Sequence, residues 1–237
     1  MIDLGLLVSI AIVVTSPALF IRPWPPDAIN GGVIDASLGA VAAGVLVGRL
    51  TSLALDDPGS LTNVSDVLII RSGVEFWAGA VVGLAWLAFG ARKDKVPSTL
   101  RIAALAPAAL VAWAGYEATC LVRDGCPGPA SSLGLRPDGL TSRVIPIGLL
   151  VALAATASAF WLDRLHRRGM SSAKIALLAI AIVAAIRSFA SIWLPHIGDD
   201  LTRQHKESIA VLTLSLIGLT VLQLRHRGAV AHGAAPS

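Results

Sequence analysis

The feature that most constrains this fold is a series of long apolar runs separated by short charged clusters. A helix needs roughly 20 mostly apolar residues to cross the hydrocarbon core of a bilayer. Seven runs approach that length, at about 4–21, 33–55, 74–91, 102–122, 144–162, 175–194 and 209–224. Inside a bilayer, only helices and closed barrels satisfy all their backbone polar groups internally. The sequence therefore predicts an all-α, polytopic membrane protein with seven transmembrane helices.

The composition excludes several other classes of protein. The chain is 55% hydrophobic and 14% charged, whereas soluble domains are about 25% charged. The net charge of +4 does not indicate nucleic-acid binding, because the basic residues stand at the ends of the apolar runs, as membrane topology requires. Two cysteines are too few for a disulfide scaffold or an all-cysteine zinc site. The histidines, among them His205, fall at loops, helix ends and the tail, so we expect no histidine base, no metal and no cofactor.

The distribution of lysine and arginine predicts the orientation of the chain. One side of the predicted bundle carries eleven of these residues and the other carries six, while two lie inside spans. The positive-inside rule then places the N-terminus outside and the C-terminus in the cytoplasm. We expect a single seven-helix domain over residues 1–227, followed by a disordered cytoplasmic tail at 228–237.

Small residues are concentrated in the second, fourth and fifth predicted spans, as in the glycine- and alanine-rich run at 39–48. Lipid provides no hydrophobic driving force between helices, so membrane helices associate through close packing, which small residues permit. We therefore expect these residues to bring helix backbones close together.

Four charged side chains lie at one predicted depth on four different spans. Arg49 lies about six residues, or roughly 9 Å, below the outer end of the second span. Glu117 and Arg187 lie about five and seven residues below the outer ends of the fourth and sixth spans, and Glu75 begins the third. Charges at such a depth normally pair with one another or line a polar cavity.

Two interpretations of these charges remain open. In the first, the ion pairs Arg49–Glu75 or Glu117–Arg187 only hold helices together. In the second, the arginines bind the phosphate of an anionic lipid headgroup in a cavity open towards the outer leaflet, because a guanidinium suits phosphate geometry. Arg143, in an external loop, is a further candidate for headgroup binding, with interfacial snorkelling as its alternative.

Both cysteines, Cys120 and Cys126, lie on the predicted outer side, where disulfides persist. A structural disulfide between them, unpaired buried thiols and catalytic redox chemistry are all compatible with the sequence. The redox interpretation has the least support, because five residues separate the two cysteines and the spacing is not C-x-x-C.

The order of these landmarks resembles the prolipoprotein diacylglyceryl transferase family. Gly48, Arg49 and Leu50 are similar to the family's G-R-L in the second span, and residues 185–189 to its G-x-x-R-F element. Residues 113–128 stand where the family has G-R-x-G-N/C-F, and Cys120, Cys126 and Gly128 keep the spacing of a cysteine-bearing branch. The segment 71–79 stands where the family has a W-x-G-G-M-S-F-H-G-G-like stretch.

The resemblance implies transfer of a diacylglyceryl group from phosphatidylglycerol to a prolipoprotein cysteine, at the outer face of the bacterial cytoplasmic (inner) membrane. Arg49 and Arg187 would then stabilise the departing phosphate. The depth that they share with these arginines, and not the resemblance, makes Glu75 or Glu117 the candidate general base.

The chain departs from the family's pattern where the family has a histidine, an arginine and two glutamates. These positions hold Trp77, Glu117, Val151 and Ser191. A non-catalytic relative that binds an anionic lipid or a membrane partner is therefore the alternative function. A membrane thiol–disulfide protein that uses Cys120 and Cys126 is the third.

Overall fold

The computed structural model describes residues 7, 8, 11, 12, 15, 33–63, 74–122, 128–136, 141–193 and 201–231, so most of the predicted first span lies outside it. The helices are α1 (Val33–Asp56), α2 (Phe76–Lys93), α3 (Ser98–Ala118), α4 (Ile147–Arg167), α5 (Ser172–Trp193) and α6 (Arg203–Ala231). Two short 3-10 helices follow α1 and α3, at Pro58–Thr62 and Thr119–Val122, and a strand, β1, covers Ala130–Leu135. The all-helical class predicted from the sequence is confirmed.

Five helices are long and apolar enough to cross a membrane. Their apolar segments are Ala36–Asp56, Ser98–Ala118, Ile147–Arg167, Ser172–Trp193 and Arg203–Arg225, which correspond to the second, fourth, fifth, sixth and seventh predicted spans. The third predicted span corresponds to α2, an 18-residue helix whose last turn holds Arg92 and Lys93, so its apolar part is shorter. The helices indicate a multi-pass membrane protein, while the number of seven spans and the orientation stay predictions.

The chain divides into two compact units, one formed by residues 24–104 and the other by residues 1–23 and 105–237, where the sequence predicted one domain. In the first unit α1 packs along α2, and in the second α5 packs against both α4 and α6. Helix α6 continues to Ala231, past the predicted start of the disordered tail at residue 228. Ala229 and Ala231 favour this continuation, because alanine has the highest helix propensity.

The helices α1 and α2 meet through glycines, as the small-residue pattern predicts. A Cβ atom added to Gly44 would lie 2.9 Å from the carbonyl oxygen of Gly79, and one added to Gly79 would lie 2.5 Å from that of Gly44. A Cβ on Gly48 would lie 2.7 Å from the carbonyl oxygen of Glu75. The two backbones are therefore in direct contact, and no side chain larger than hydrogen fits between them.

Replacing Gly79 with leucine should separate α1 from α2 and lower the melting temperature of the detergent-purified protein. Forcing extra atoms into a packed contact costs about 1–3 kcal/mol. Gly59→Leu is the matched control, because Gly59 is exposed and an added Cβ would lie 3.6 Å from its nearest neighbour, Asp57 Oδ1. Equal melting temperatures for G79L and G59L would contradict the backbone contact.

The turns that follow α2 and α4 use the same helix ending. After α2, Lys95 has a φ of +56°, and the N–H of Val96 donates to the carbonyl of Ala91 at 2.8 Å. After α4, Gly169 takes the same left-handed position with a φ of +81°. This Schellman motif satisfies the last carbonyls of a helix and lets the chain reverse within a few residues. Because of this motif, α3 begins a few residues after α2 ends, and α5 begins a few residues after α4 ends.

The segment that precedes α4 forms a small β-structure where the sequence suggested only a loop. Val144 makes antiparallel bridges with Ala130 and Leu135 of β1. The carbonyl of Arg143 accepts a hydrogen bond from the N–H of Ser131 at 2.9 Å. Val144 is buried and the Arg143 side chain is exposed, so successive residues of this segment have opposite exposure, as in a β-strand.

Candidate functional site

Three helix ends of the second unit meet in one buried apolar cluster. Ile147 and Val151 of α4 form this cluster with Ala190 of α5, and Trp113 and Ile186 pack against it. Trp113 lies near the end of α3, Ile147 begins α4, and Ala190 lies near the end of α5. The cluster therefore fixes the end of α3, the start of α4 and the end of α5 relative to one another.

The start of α6 joins this group through polar contacts with α5. We call Arg187, Ser188 and Ser191 of α5, with Gln204 and His205 of α6, the α5–α6 polar cluster. The amide of Gln204 is oriented with its oxygen towards Arg187. This oxygen accepts hydrogen bonds from Arg187 Nε at 3.1 Å and from Arg187 Nη2. These two bonds orient the guanidinium of Arg187.

His205 supplies the aromatic ring of this cluster and is buried, with 7% of its surface exposed. Its Nδ1 lies 2.8 Å from Ser191 Oγ and 3.0 Å from the carbonyl oxygen of Ser188. Its backbone N–H donates to the carbonyl of Thr202 at 3.0 Å, which anchors the first turn of α6. The expectation that His205 lies in a loop was wrong, because it lies in the first turn of α6, where α5 supplies it with buried partners.

Glu117 lies at the end of α3, one helical turn after Trp113, which packs against the apolar cluster. The indole Nε1 of Trp113 donates to Glu117 Oε1 at 2.9 Å, and the glutamate is half-buried. A Cβ added to Gly148 would lie 3.0 Å from the Glu117 carbonyl oxygen and 3.0 Å from Cys120 Sγ. The end of α3 is thus held tightly against the start of α4. Glu117 and Arg187 belong to the same end of the second unit. Trp113 bonds to Glu117, and Gln204 bonds to Arg187.

Arg49 and Glu75 lie together in the first unit. Arg49 is 3% exposed near the end of α1, and Glu75 is the residue before the first turn of α2. The N–H of Glu75 donates to the carbonyl of Gly48 at 3.0 Å. The structure therefore places these two candidates at one junction between α1 and α2, while a single cavity that holds all four charges stays a prediction.

The remaining predicted residues are separate from the α5–α6 polar cluster or only partly described. Arg143 is exposed before α4, and its described contact there is made by its backbone. Cys120 is 4% exposed and is disulfide-bonded. Cys126 lies outside the described residues, so its pairing with Cys120 stays a prediction.

Arg101 is one of the eleven basic residues on the predicted cytoplasmic side, where the sequence assigns it to the loop between the third and fourth spans. In the structure it lies within the first turn of α3 and is completely buried. Its Nη2 donates to Asp94 Oδ2 at 2.7 Å, and the Asp94 side chain is 34% exposed. Its Nε and Nη1 are buried and have no hydrogen-bond partner in the described part of the chain. The sequence-based assignment to a loop was wrong, because the turn after α2 carries Asp94 back to the start of α3.

Comparison with known proteins adds no relative. No protein-family model matches this chain, and no curated protein matches it either. In the described ranges, no three His, Cys, Asp or Glu side chains come together as a metal site would require. The α5–α6 polar cluster, at the ends of apolar helices, is therefore the best-defined candidate site.

Proposed function

We propose that the protein is a divergent diacylglyceryl transferase of the bacterial cytoplasmic membrane. It binds an anionic phospholipid such as phosphatidylglycerol and transfers the diacylglyceryl group to a prolipoprotein cysteine. The observation that carries the proposal is the α5–α6 polar cluster, in which an oriented arginine and a buried histidine share the ends of two apolar helices.

Arg187 is the proposed phosphate ligand in this cluster. A guanidinium forms charge-assisted, planar hydrogen bonds with phosphate oxygens, and at this position the phospholipid headgroups of the membrane are the nearest phosphates. Gln204 holds the guanidinium plane in place, so less conformational freedom is lost when the headgroup binds.

The proposed reaction forms one bond and breaks one. The sulfur of the prolipoprotein cysteine bonds to the terminal glycerol carbon of the diacylglyceryl group, and the bond from that carbon to the phosphate oxygen breaks. Glycerol phosphate leaves with the electron pair, and Arg187 stabilises the negative charge that develops on it. Glu117 remains a candidate for the base that takes the thiol proton, with Trp113 fixing its carboxylate.

Two other functions have support from specific observations. The four departures from the transferase pattern favour a non-catalytic relative that binds the same lipid. The disulfide at Cys120 is the basis of the thiol–disulfide function. Cys120 is 4% exposed, however, and its sulfur lies against Gly148, so an attacking thiolate has poor access to this sulfur. A structural role for this disulfide therefore explains its surroundings better.

The proposal is tested with protein purified in mild detergent, by mass spectrometry of its bound lipids and by transfer to a cysteine-containing prolipoprotein peptide in phosphatidylglycerol vesicles. We expect bound phosphatidylglycerol and measurable transfer, and Arg187→Gln should lower the rate by about 10²–10³-fold. Arg167→Gln is the control, because Arg167 is exposed and contacts Asp163 on the surface of α4.

The three outcomes of this experiment separate the alternatives. Bound phosphatidylglycerol without transfer would identify the non-catalytic lipid-binding relative. Neither binding nor transfer would refute the proposal. Equal rates for R187Q and R167Q would remove Arg187 from the site.

A further inference from the structure

The contacts of His205 determine which of its ring nitrogens carries a hydrogen. Its Nδ1 lies 3.0 Å from the carbonyl oxygen of Ser188, which can only accept a hydrogen bond. The hydroxyl of Ser191 donates to the same carbonyl oxygen, at 2.8 Å. An unprotonated Nδ1 would point its lone pair at the lone pairs of that carbonyl. Nδ1 is therefore the N–H of the ring, shared between Ser188 O and Ser191 Oγ.

This assignment excludes Ser191 as a nucleophile activated by His205. Activation would require Nδ1 to accept the serine proton, but Nδ1 already carries a hydrogen and Ser191 donates to Ser188. The two serines act instead as an anchor that sets the ring's tautomer and orientation. The proton-accepting nitrogen is consequently Nε2, which makes no hydrogen bond with any residue that the structure describes.

The residues around His205 also restrict the orientation of its imidazole ring. Ser191 is 5% exposed and His205 7%, so water has little access to compete for the anchoring hydrogen bonds. Thr202 fixes the backbone of His205 through its carbonyl and also through its hydroxyl, at 3.2 Å. An imidazole that is oriented through Nδ1–H and presents Nε2 is the usual arrangement of a general base in proteins.

We propose that His205, in place of Glu117, is the base of the reaction: it is the proton acceptor of the α5–α6 polar cluster and removes the proton of the substrate thiol through Nε2. This inference rests on the transferase function proposed above. The S–H proton moves to Nε2 as the sulfur forms its bond to the glycerol carbon. The C–O bond to phosphate breaks, and the imidazolium then returns the proton to a phosphate oxygen of the departing glycerol phosphate.

His205→Asn tests the inference, because the asparagine amide can donate to Ser188 from about the Nδ1 position but offers nothing in place of Nε2. We expect H205N to bind phosphatidylglycerol as the wild type does and to transfer about 10²–10⁴-fold more slowly at neutral pH. Ser191→Ala is the control, since it removes one anchoring contact and leaves Nε2 in place, so its rate should fall far less. At pH 9.5 most of the thiol is ionised without a base, given an ordinary pKa of about 8.5, and H205N should recover most of its rate.

The possible failures are distinguishable from one another. Wild-type protein that neither binds the lipid nor transfers refutes the transferase proposal and this inference together. Active wild type with an equally active H205N refutes only the role of His205, as does a slow H205N that alkaline pH fails to rescue.

A second measurement does not depend on activity or on a variant that folds. In wild-type protein labelled with ¹⁵N-histidine, the neutral form of His205 should show a protonated Nδ1 and an unprotonated Nε2. The opposite tautomer would overturn the inference.

Discussion

Asp94→Asn should destabilise the protein by about 3 kcal/mol, because it leaves the buried charge of Arg101 without its carboxylate. Removing one partner of a buried ion pair typically costs about 3–5 kcal/mol. The lower end of that range applies here, since the Asp94 side chain is 34% exposed and water partly screens the pair. The effect should appear as a lower denaturation midpoint of the detergent-purified protein.

Replacing Arg101, the other residue of the ion pair, should cost less stability than replacing Asp94. Arg101→Met removes the charge along with two guanidinium nitrogens that have no hydrogen-bond partner in the described residues, so its cost should be much smaller. The double variant D94N/R101M should then be more stable than D94N alone.

An exposed ion pair on α4 provides the control for this prediction. Asp163→Asn breaks the contact with Arg167, whose side chain is 61% exposed, and should cost about 1 kcal/mol or less. If D94N and D163N lose equal stability, or if R101M is worse than D94N, the buried-charge argument fails.

Loss of the disulfide at Cys120 should be the second large effect. Cys120→Ala should lower the stability by about 2 kcal/mol, the value expected when a bond that closes a short loop is removed. A reductant should lower the melting temperature of the wild type to that of C120A, and it should leave the melting temperature of C120A unchanged.

The partner of Cys120 can be identified in the same experiment. The chain has two cysteines, so Cys126→Ala should have the same melting temperature as C120A if the two are joined. Thiol alkylation of the unreduced wild type should give no labelled cysteine. A labelled wild type, or a C126A variant as stable as the wild type, would contradict the predicted pair.

The helices were predictable because the membrane limits what an apolar run can be. A run of about 20 apolar residues in lipid has to satisfy its backbone internally, so five of the predicted runs are helices. Four of them lie close to their predicted limits, whereas α6 extends beyond both of its limits. Glu75 was expected to begin the third span, and it is the residue before α2. The close approach at Gly44 was expected from the small residues of the second span, whereas its partner Gly79 lies in the third span, for which no such packing was predicted.

Arg101 and His205 were misassigned because their burial depends on residues of other segments. Polar residues near helix ends usually face water, and nothing local distinguishes these two. Arg101 is buried beside Asp94, which reaches it through the left-handed conformation of Lys95. His205 is buried because Ser188 and Ser191 lie across from it on α5. Those serines are three residues apart, and this polar stripe on one face of an apolar helix is the signal that could have revealed the site.

The candidate site was only partly predictable for a related reason. Counting residues from a helix end gives the depth of a charge but not the direction in which the helix presents it. Arg187 was identified by its depth, whereas its described partner is Gln204 on the neighbouring helix and not Glu117. Trp113 instead holds Glu117 within its own helix.

The glycine contact between α1 and α2 also determines the azimuth of Arg49. Gly44 and Gly48 are four residues apart and lie on one face of α1, so only one rotation of that helix allows so close an approach. Arg49 follows Gly48, and successive side chains of a helix project about 100° apart. The glycines of α1, which carry no side chain, therefore set the direction of the Arg49 guanidinium. A larger residue at Gly44 would turn the arginine about the helix axis even if the protein remained folded.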